Sequence, residues 1–205
     1  MSVFDKVIAA VTPPESDEER AEARAKARAA ATPGDWLSLI LDHHLQVEAA
    51  FAAVESAGDA SSRRAAQKQL GIILTGHSIA EESVIYPALV QVGEKSSAGT
   101  AYTEQQAAKI QMAELEKLDP MSADYHDKLG HIKGAVQHHV YEEEGTWFPE
   151  LKDKAAAADQ VVLTQRYQEE FERYVGADAE DFEEDGLATG RDPRSPSRVS
   201  RHRTL

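Results

Sequence analysis

The sequence predicts an all-α fold, an antiparallel four-helix bundle with extra N-terminal helices and one C-terminal helix. Three observations predict it. No segment of the 205-residue chain sustains two-residue alternation of apolar and polar side chains, so no strand is expected. Four long segments carry apolar residues at helical spacing and are joined by short connections, the pattern of antiparallel neighbours. One pattern then occurs twice, at 77–89 and 139–151: His, three residues, Glu-Glu, three residues, an aromatic, Pro, one residue, Leu. A His and a Glu four apart share a helix face about 6 Å apart along the axis, so each copy can point both side chains at one centre.

Val3, Phe4, Val7, Ile8 and Val11 fall at helical spacing, and Pro13-Pro14 ends this short first helix. Ser16 with Glu19 forms a capping-box pattern for a second helix, about 16–31. That helix is built from Ala, Glu, Arg and Lys, with high propensity and almost no apolar stripe. It reads as a solvated helix leaning on the domain or as an arm for a partner. Thr32-Pro33-Gly34 breaks the chain, and Asp35 is a good N-cap for the first bundle helix. From Trp36 to about Glu55, the residues Leu37, Ile40, Leu41, Val47 and Phe51 make a stripe that contains His44.

A loop at 56–62 precedes a long helix, about 63–92, whose stripe of Leu70, Ile73, Leu74, Val84, Ile85 and Ala88 brackets His77 and Glu81. Pro87 is expected to bend its last turns. A loop at 93–99 leads to the third bundle helix, about 100–118, with Tyr102, Gln105, Ala108, Met112 and Leu115 on one side and Asp119-Pro120 at its end. The fourth, about 122–152, puts Ile132 and Val136 on a face with His139 and Glu143. A fifth helix, about 159–175, is amphipathic through Val162, Leu163, Tyr167, Phe171 and Tyr174. Beyond Gly176 the chain is acidic to Asp185. Residues 186–205 then carry five arginines with Pro, Ser and Gly and no apolar period, the composition of a disordered tail. The expected organisation is an N-terminal extension (1–34), a bundle (35–153), a helix with an acidic segment (154–186) and the tail (187–205).

Thirty-six acidic and 22 basic side chains give a net charge of −14, which disfavours nucleic acid as a partner of the bundle, because phosphate binding needs a basic face. The chain has no cysteine, so disulfides, thiolate metal sites and thiol catalysis are excluded. No apolar run approaches the roughly 20 residues of a membrane span, and the first residues lack the features of a signal peptide. The expected compartment is the cytoplasm.

His44, His77, Glu81, His139 and Glu143 lie on stripes that otherwise read as core. Burying an unpaired carboxylate or charged imidazole costs several kcal/mol, and five such groups at one level would cancel most of a bundle's net stability of ~5–15 kcal/mol. A cation compensates directly, by turning imidazole nitrogens and carboxylate oxygens into ligands. Imidazole and carboxylate without thiolate favour iron or manganese over zinc. The Glu-x-x-His spacing of ferritin-like di-iron bundles is absent from these positions.

At these residues the chain resembles the hemerythrin-like proteins with the HHE cation-binding domain, over about 36–152. The resemblance rests on Asp42-His43-His44 with Phe51, on His77 through Glu81-Glu82 to Tyr86-Pro87, and on His139 through Glu143-Glu144 to Phe148-Pro149. It implies a hemerythrin-like bundle around a non-haem, usually di-iron centre, with an open position for a small ligand such as oxygen, nitric oxide or peroxide. It also implies that His44, His77 and His139 are terminal ligands and that Glu81 and Glu143 bridge. His43 competes with His44 for the first-helix role, because Trp36, Leu39, Val47 and Val54 give it a stripe of its own.

The chain departs from the family on the third helix, where Gln105 stands at the position that usually holds a His. Gln105 itself, Tyr102 one turn before it and Glu48 one turn after His44 are further candidate ligands. His43 (where His44 is the ligand), Glu82, Glu144 and His138 are expected beside the ligands or on the surface, and His126 and His131, ~12 Å or more along the helix from His139, on the surface. Three functions follow as alternatives: a module that binds or senses the small ligand, an enzyme that decomposes peroxide or oxidises ferrous iron, and an interaction protein working through its terminal extensions. Those extensions could also support a homo-oligomer.

Overall fold

The computed structural model describes residues 14–187, with side chains through Gly176. The helix expected over 3–11 and the tail from 188 onward lie outside the described residues. Eight helical segments follow in order: α1 (Asp17–Ala30), α2 (Trp36–Ser56), α3 (Ala60–Ala80), α4 (Tyr86–Gln91), α5 (Lys95–Leu115), α6 (Ala123–Glu142), α7 (Phe148–Lys154) and α8 (Ala157–Leu187). α3 continues into α4 through one wide π turn, Glu81–Ile85, and α6 into α7 through another, Glu143–Trp147. The described residues contain no strand, and none of their helices is long and apolar enough to cross a membrane. The bundle therefore has four rods, α2, α3–α4, α5 and α6–α7. α1 packs against the second π turn, α2 and α7, while α8 lies along α3 and α2.

Caps set the helix starts. Ser16 accepts from the Glu19 N–H while the Glu19 side chain takes the Ser16 N–H, the predicted capping box. Asp35 caps α2 through the Ser38 N–H, and Ser122 caps α6 through the Tyr125 N–H. Asp59 accepts from the N–H groups of Ser61 and Ser62, so α3 begins at Ala60 and the loop expected at 56–62 shrinks to three residues, 57–59. Gly93, at φ 99°, turns the chain from α4, and α5 begins at Lys95, earlier than the sequence suggested. α8 runs on through Gly176 and the acidic segment to Leu187.

The π turns correct the expectation of a simple proline bend. Each turn bonds the N–H of the residue five places on to the carbonyl of its glutamate: Tyr86 to Glu81 and Phe148 to Glu143. The extra residue widens the helix just before Pro87 and Pro149, where an α-helix would press the proline ring against a carbonyl.

The core is split in two. One cluster contains Trp36, Leu37, Ile40, Leu41, Ile85, Leu89, Phe148, Leu151 and Tyr167. The other contains Val47, Phe51, Val54, Leu70, Met112, Leu115, Tyr125, Leu129 and Ile132. Along each rod a buried polar residue falls at the boundary: His44 between Leu41 and Val47, His77 between Leu74 and Ala80, Gln105 between Ala101 and Met112, His139 between Val136 and Phe148. The fold thus places one polar layer across the middle of an apolar bundle.

Candidate metal centre

Two carboxylates occupy the middle of this layer, both fully buried. Glu81 Oε2 lies 3.2 Å from His77 Nε2, and Glu143 Oε1 lies 3.2 Å from His139 Nε2, the two His-x3-Glu pairs of the repeated motif. From α2, His44 Nε2 reaches between them, 3.3 Å from Glu143 Oε2 and 3.9 Å from Glu81 Oε1. One ligand atom from each of His44, His77, Glu81 and Glu143 fits within 4.8 Å of the others. His139 stands on the far side of Glu143.

Four buried polar atoms of the layer have no hydrogen-bond partner: His44 Nε2, Glu81 Oε1, Glu143 Oε2 and Gln105 Oε1. Only Trp36 Nε1 and Arg63 Nε share that condition among the described residues. Three of the four are the atoms that converge from α2 and the two π turns. Unpartnered buried polar atoms are rare, since each forfeits its hydration. Aimed at one another, they fit a cation between them.

The opposite nitrogens of the three candidate ligand imidazoles are held by partners. His44 Nδ1 bonds Glu144 Oε1 at 2.8 Å, His139 Nδ1 bonds Glu104 Oε2 at 2.9 Å, and His77 Nδ1 lies 3.2 Å from the Tyr167 hydroxyl. Such partners set the tautomer and leave Nε2 free to ligate. Tyr86 takes the centre of the second half: its hydroxyl is 2.9 Å from Glu143 Oε1, 3.2 Å from Glu81 Oε2 and 3.1 Å from His139 Nε2. The Gln105 amide donates to Glu81 Oε2 and to the Tyr86 oxygen.

Without a metal the protons of the layer are shared unequally. Burial pulls His44 down, but the nearby carboxylates of Glu143, Glu144 and Glu81 outweigh it and hold the imidazole well above its ordinary value. His139 is likewise opposed by burial and raised to about 10 by the Glu143 charge and Glu104. His77 is driven well below its usual range by burial and by the charge on His44. Burial and the neighbouring Glu143 raise Glu81 to about 7, whereas Glu143, although buried, is held low by His139 and His44. A bound cation would release the protons on His44 and His139.

The other candidates fall as follows. Tyr102 and Glu48, weighed as extra ligands, are turned away. The Tyr102 hydroxyl donates to the Glu82 carbonyl at 2.7 Å, and Glu48 pairs with Arg24 at the surface. Gln105 is inside the layer. His43 faces α8, 2.8 Å from the Tyr167 hydroxyl and stacked on Phe171, and burial lowers it to about 4. Glu82 pairs with Lys109, and His138 is exposed and pairs with Glu15. Glu144, by contrast, is buried against His44. Sequence reasoning passed over Tyr86 as a ligand candidate and missed Glu104 and Tyr167. The repeated aromatic-Pro of the motif was the only signal for Tyr86.

The helical bundle that carries this layer has counterparts among known proteins. The family model for the hemerythrin HHE cation binding domain matches residues 36–151. A solved hemerythrin HHE cation binding domain-containing protein from Mycobacterium kansasii superposes with a TM-score of 0.64 at 21% identity, covering 77% of this chain and 94% of that one. That identity speaks for the fold alone. A curated "DNA nickase" from Nostoc sp. is 24% identical over 117 residues, 57% of this chain. The match spans only a third of that relative's length.

Proposed function

The chain belongs to the hemerythrin HHE cation-binding family, and we propose that its polar layer holds a non-haem di-iron centre that binds a small ligand such as dioxygen, nitric oxide or peroxide. The observation that carries this reading is the set of unpartnered atoms, His44 Nε2, Glu81 Oε1 and Glu143 Oε2, which turn toward one another inside an apolar bundle. Together with His77 Nε2 they would hold a first metal position with two imidazoles and two carboxylates. The second oxygens of Glu81 and Glu143, with His139 Nε2 and the Tyr86 hydroxyl, would hold a second. Nitrogen and hard oxygen donors suit iron or manganese, with zinc less favoured. Bound iron would supply open coordination and electron exchange with the small ligand.

The residues of the chain do the rest. Glu144, Glu104 and Tyr167 orient the three imidazoles through their Nδ1 atoms. A cavity of about 20 Å³ opens on the layer between His44, His77, Gln105 and His139, with Val47, Leu74, Ala108, Val136 and Val140 as its apolar walls. That is room for about one water, a scale that suits a ligand of very few atoms.

A second reading, turnover of peroxide, is favoured by one observation. The second position has a single imidazole, with a phenol and an amide where further nitrogen donors were expected, and fewer nitrogen ligands leave more coordination open for reaction. Elemental analysis with an anomalous-scattering map tests the common premise: iron is expected between His44, Glu81 and Glu143, and a purified protein that takes up less than one iron per chain from ferrous salt overturns it. Steady peroxide loss by the loaded protein selects the enzyme, whereas a single spectral change without turnover selects the binding module.

A further inference from the structure

We propose that Arg24, on the N-terminal helix outside the family-matched residues, is a positioning residue for the metal centre, holding the His44 imidazole in place through Glu144. The inference rests on the metal-binding reading above. From the surface inward, four groups stand in a row. Glu48 takes two bonds from the Arg24 terminal nitrogens, at 2.6 and 3.1 Å. Arg24 Nε lies 3.1 Å from both oxygens of Glu144. Glu144, 1% exposed, accepts from His44 Nδ1, and His44 Nε2 faces the candidate cation position. The guanidinium is planar and forked, so it fixes the plane of the carboxylate it grips. That plane in turn fixes the imidazole ring.

The repeat supplies an internal control. Glu82 occupies in the first copy of the motif the place of Glu144 in the second, as the second residue of the same kind of π turn, one place after the candidate ligand carboxylate. Yet Glu82 turns outward to Lys109 and Gln106. The motif alone therefore does not send this carboxylate inward. What the second copy has and the first lacks is α1, seated on Gly145 through Ala23, with Arg24 at the contact.

The grip on α1 combines a few small apolar contacts with ion pairs. Ala23 and Ala27 are its only buried residues. The rest of its hold comes from Arg24 on Glu144 and Glu48, Arg28 on Asp42, and Lys26 on the Gly145 carbonyl. A cleft of about 180 Å³, lined by Arg20, Arg24, Glu48, His44 and Glu144, lies beneath the helix and leads from solvent to the ligand ring. Ionic strength that screens these pairs would loosen the helix and, with it, the ring.

The test measures the rate at which ferrous iron passes from the loaded full-length chain to a ferrous chelator, at low and high salt, in wild type, R24Q and R28Q. R24Q is expected to release iron faster at low salt, by up to the roughly 10–100-fold that loss of the group bonded directly to a metal ligand costs, and to respond little to salt. Wild type is expected to speed up as salt rises. R28Q severs the Arg28–Asp42 pair without touching Glu144 and is expected to stay within a few-fold of wild type. In the cobalt-loaded protein, the hyperfine-shifted exchangeable proton of His44 Nδ1 is expected to exchange faster in R24Q but not in R28Q. Wild-type release with an intact Nδ1 signal in R24Q, or equal release from R28Q, overturns the assignment. Should R24Q fail to fold, R24K replaces it. It keeps the charge without the fork and is expected to release iron at an intermediate rate, and a wild-type rate would overturn the proposal. Failure of the metal reading itself is separately visible, as wild type that loads no iron.

Discussion

Replacing Glu81 by Gln should stabilise the metal-free protein and abolish its response to metal, two effects of opposite sign from one atom change. Glu81 is fully buried, faces the charge of Glu143, and has its carboxyl raised from 4.5 to about 7. A group whose pKa is higher folded than unfolded contributes stability that is complete below the unfolded value and lost as pH rises through the folded one. The Glu81 contribution therefore declines between pH 4.5 and about 7 and stays lost above. A shift of this size corresponds to roughly 3 kcal/mol at pH 8. Glutamine cannot ionise, and its amide oxygen still accepts from Gln105. E81Q should therefore gain up to roughly 3 kcal/mol at pH 8 and nothing at pH 4, about 6–12 °C in melting temperature for a chain of this size. With metal at a hundred times its dissociation constant, wild type should gain about 3 kcal/mol, and E81Q, having lost a shared carboxylate, close to none. Thermal melts at pH 4, 6 and 8, with and without ferrous iron, read both effects. An E81Q variant that melts below wild type at pH 8 without metal, or that keeps the full metal-induced gain, refutes the claim that the layer is a strained cation site.

Tyr86→Phe should remove a phenolate-to-iron absorption band from the visible spectrum of the ferric protein while iron at the first position is kept; an unchanged spectrum would exclude Tyr86 as a ligand. Gln105→His should tighten the second metal equivalent, read by titration, because an imidazole would replace the amide that now donates to Glu81 and Tyr86. Gly76→Ala should cost about 1–3 kcal/mol, because its new Cβ would lie 2.7 Å from the Val175 side chain and push α8 from α3. As α8 carries Tyr167, the same variant should also release iron faster, which chelator competition would detect.

The bundle and the two His-x3-Glu pairs that meet in its polar layer were legible because both are periodic. Apolar stripes at helical spacing give four rods, and a His-x3-Glu pair repeated on two of them marks a shared level without any knowledge of contacts. Legibility stopped where an assumed α-helix stopped. Tyr86 follows Glu81 by five residues, about 1.4 turns of α-helix, which would aim it well away from the ligand face. The π turn restores it to that face, and only the proline behind it hints that the register changes there. Tyr167 reads as one more residue of an amphipathic stripe, and nothing in the alternating Ala, Arg and Glu of α1 says which arginine looks inward.

The repeat also accounts for the two unlike halves of the proposed centre. Each copy contributes a His, a Glu, a π turn and an aromatic, so the backbone presents two equivalent corners to the middle of the bundle. The aromatics then differ by one oxygen. Tyr86 sends its hydroxyl among Glu81, Glu143 and His139, whereas Phe148 lies nearly parallel to the His44 ring with centroids 6.4 Å apart and offers no donor atom. In the proposed centre, both nitrogens on the Phe148 side, His44 and His77, would serve one metal. On the Tyr86 side a phenol would stand in for an imidazole. Exchanging the two, as Y86F with F148Y, should move the absorption band of the phenolate to the imidazole-rich position. Losing the band altogether would mean that a hydroxyl at 148 cannot reach the centre and that the corners are not equivalent after all.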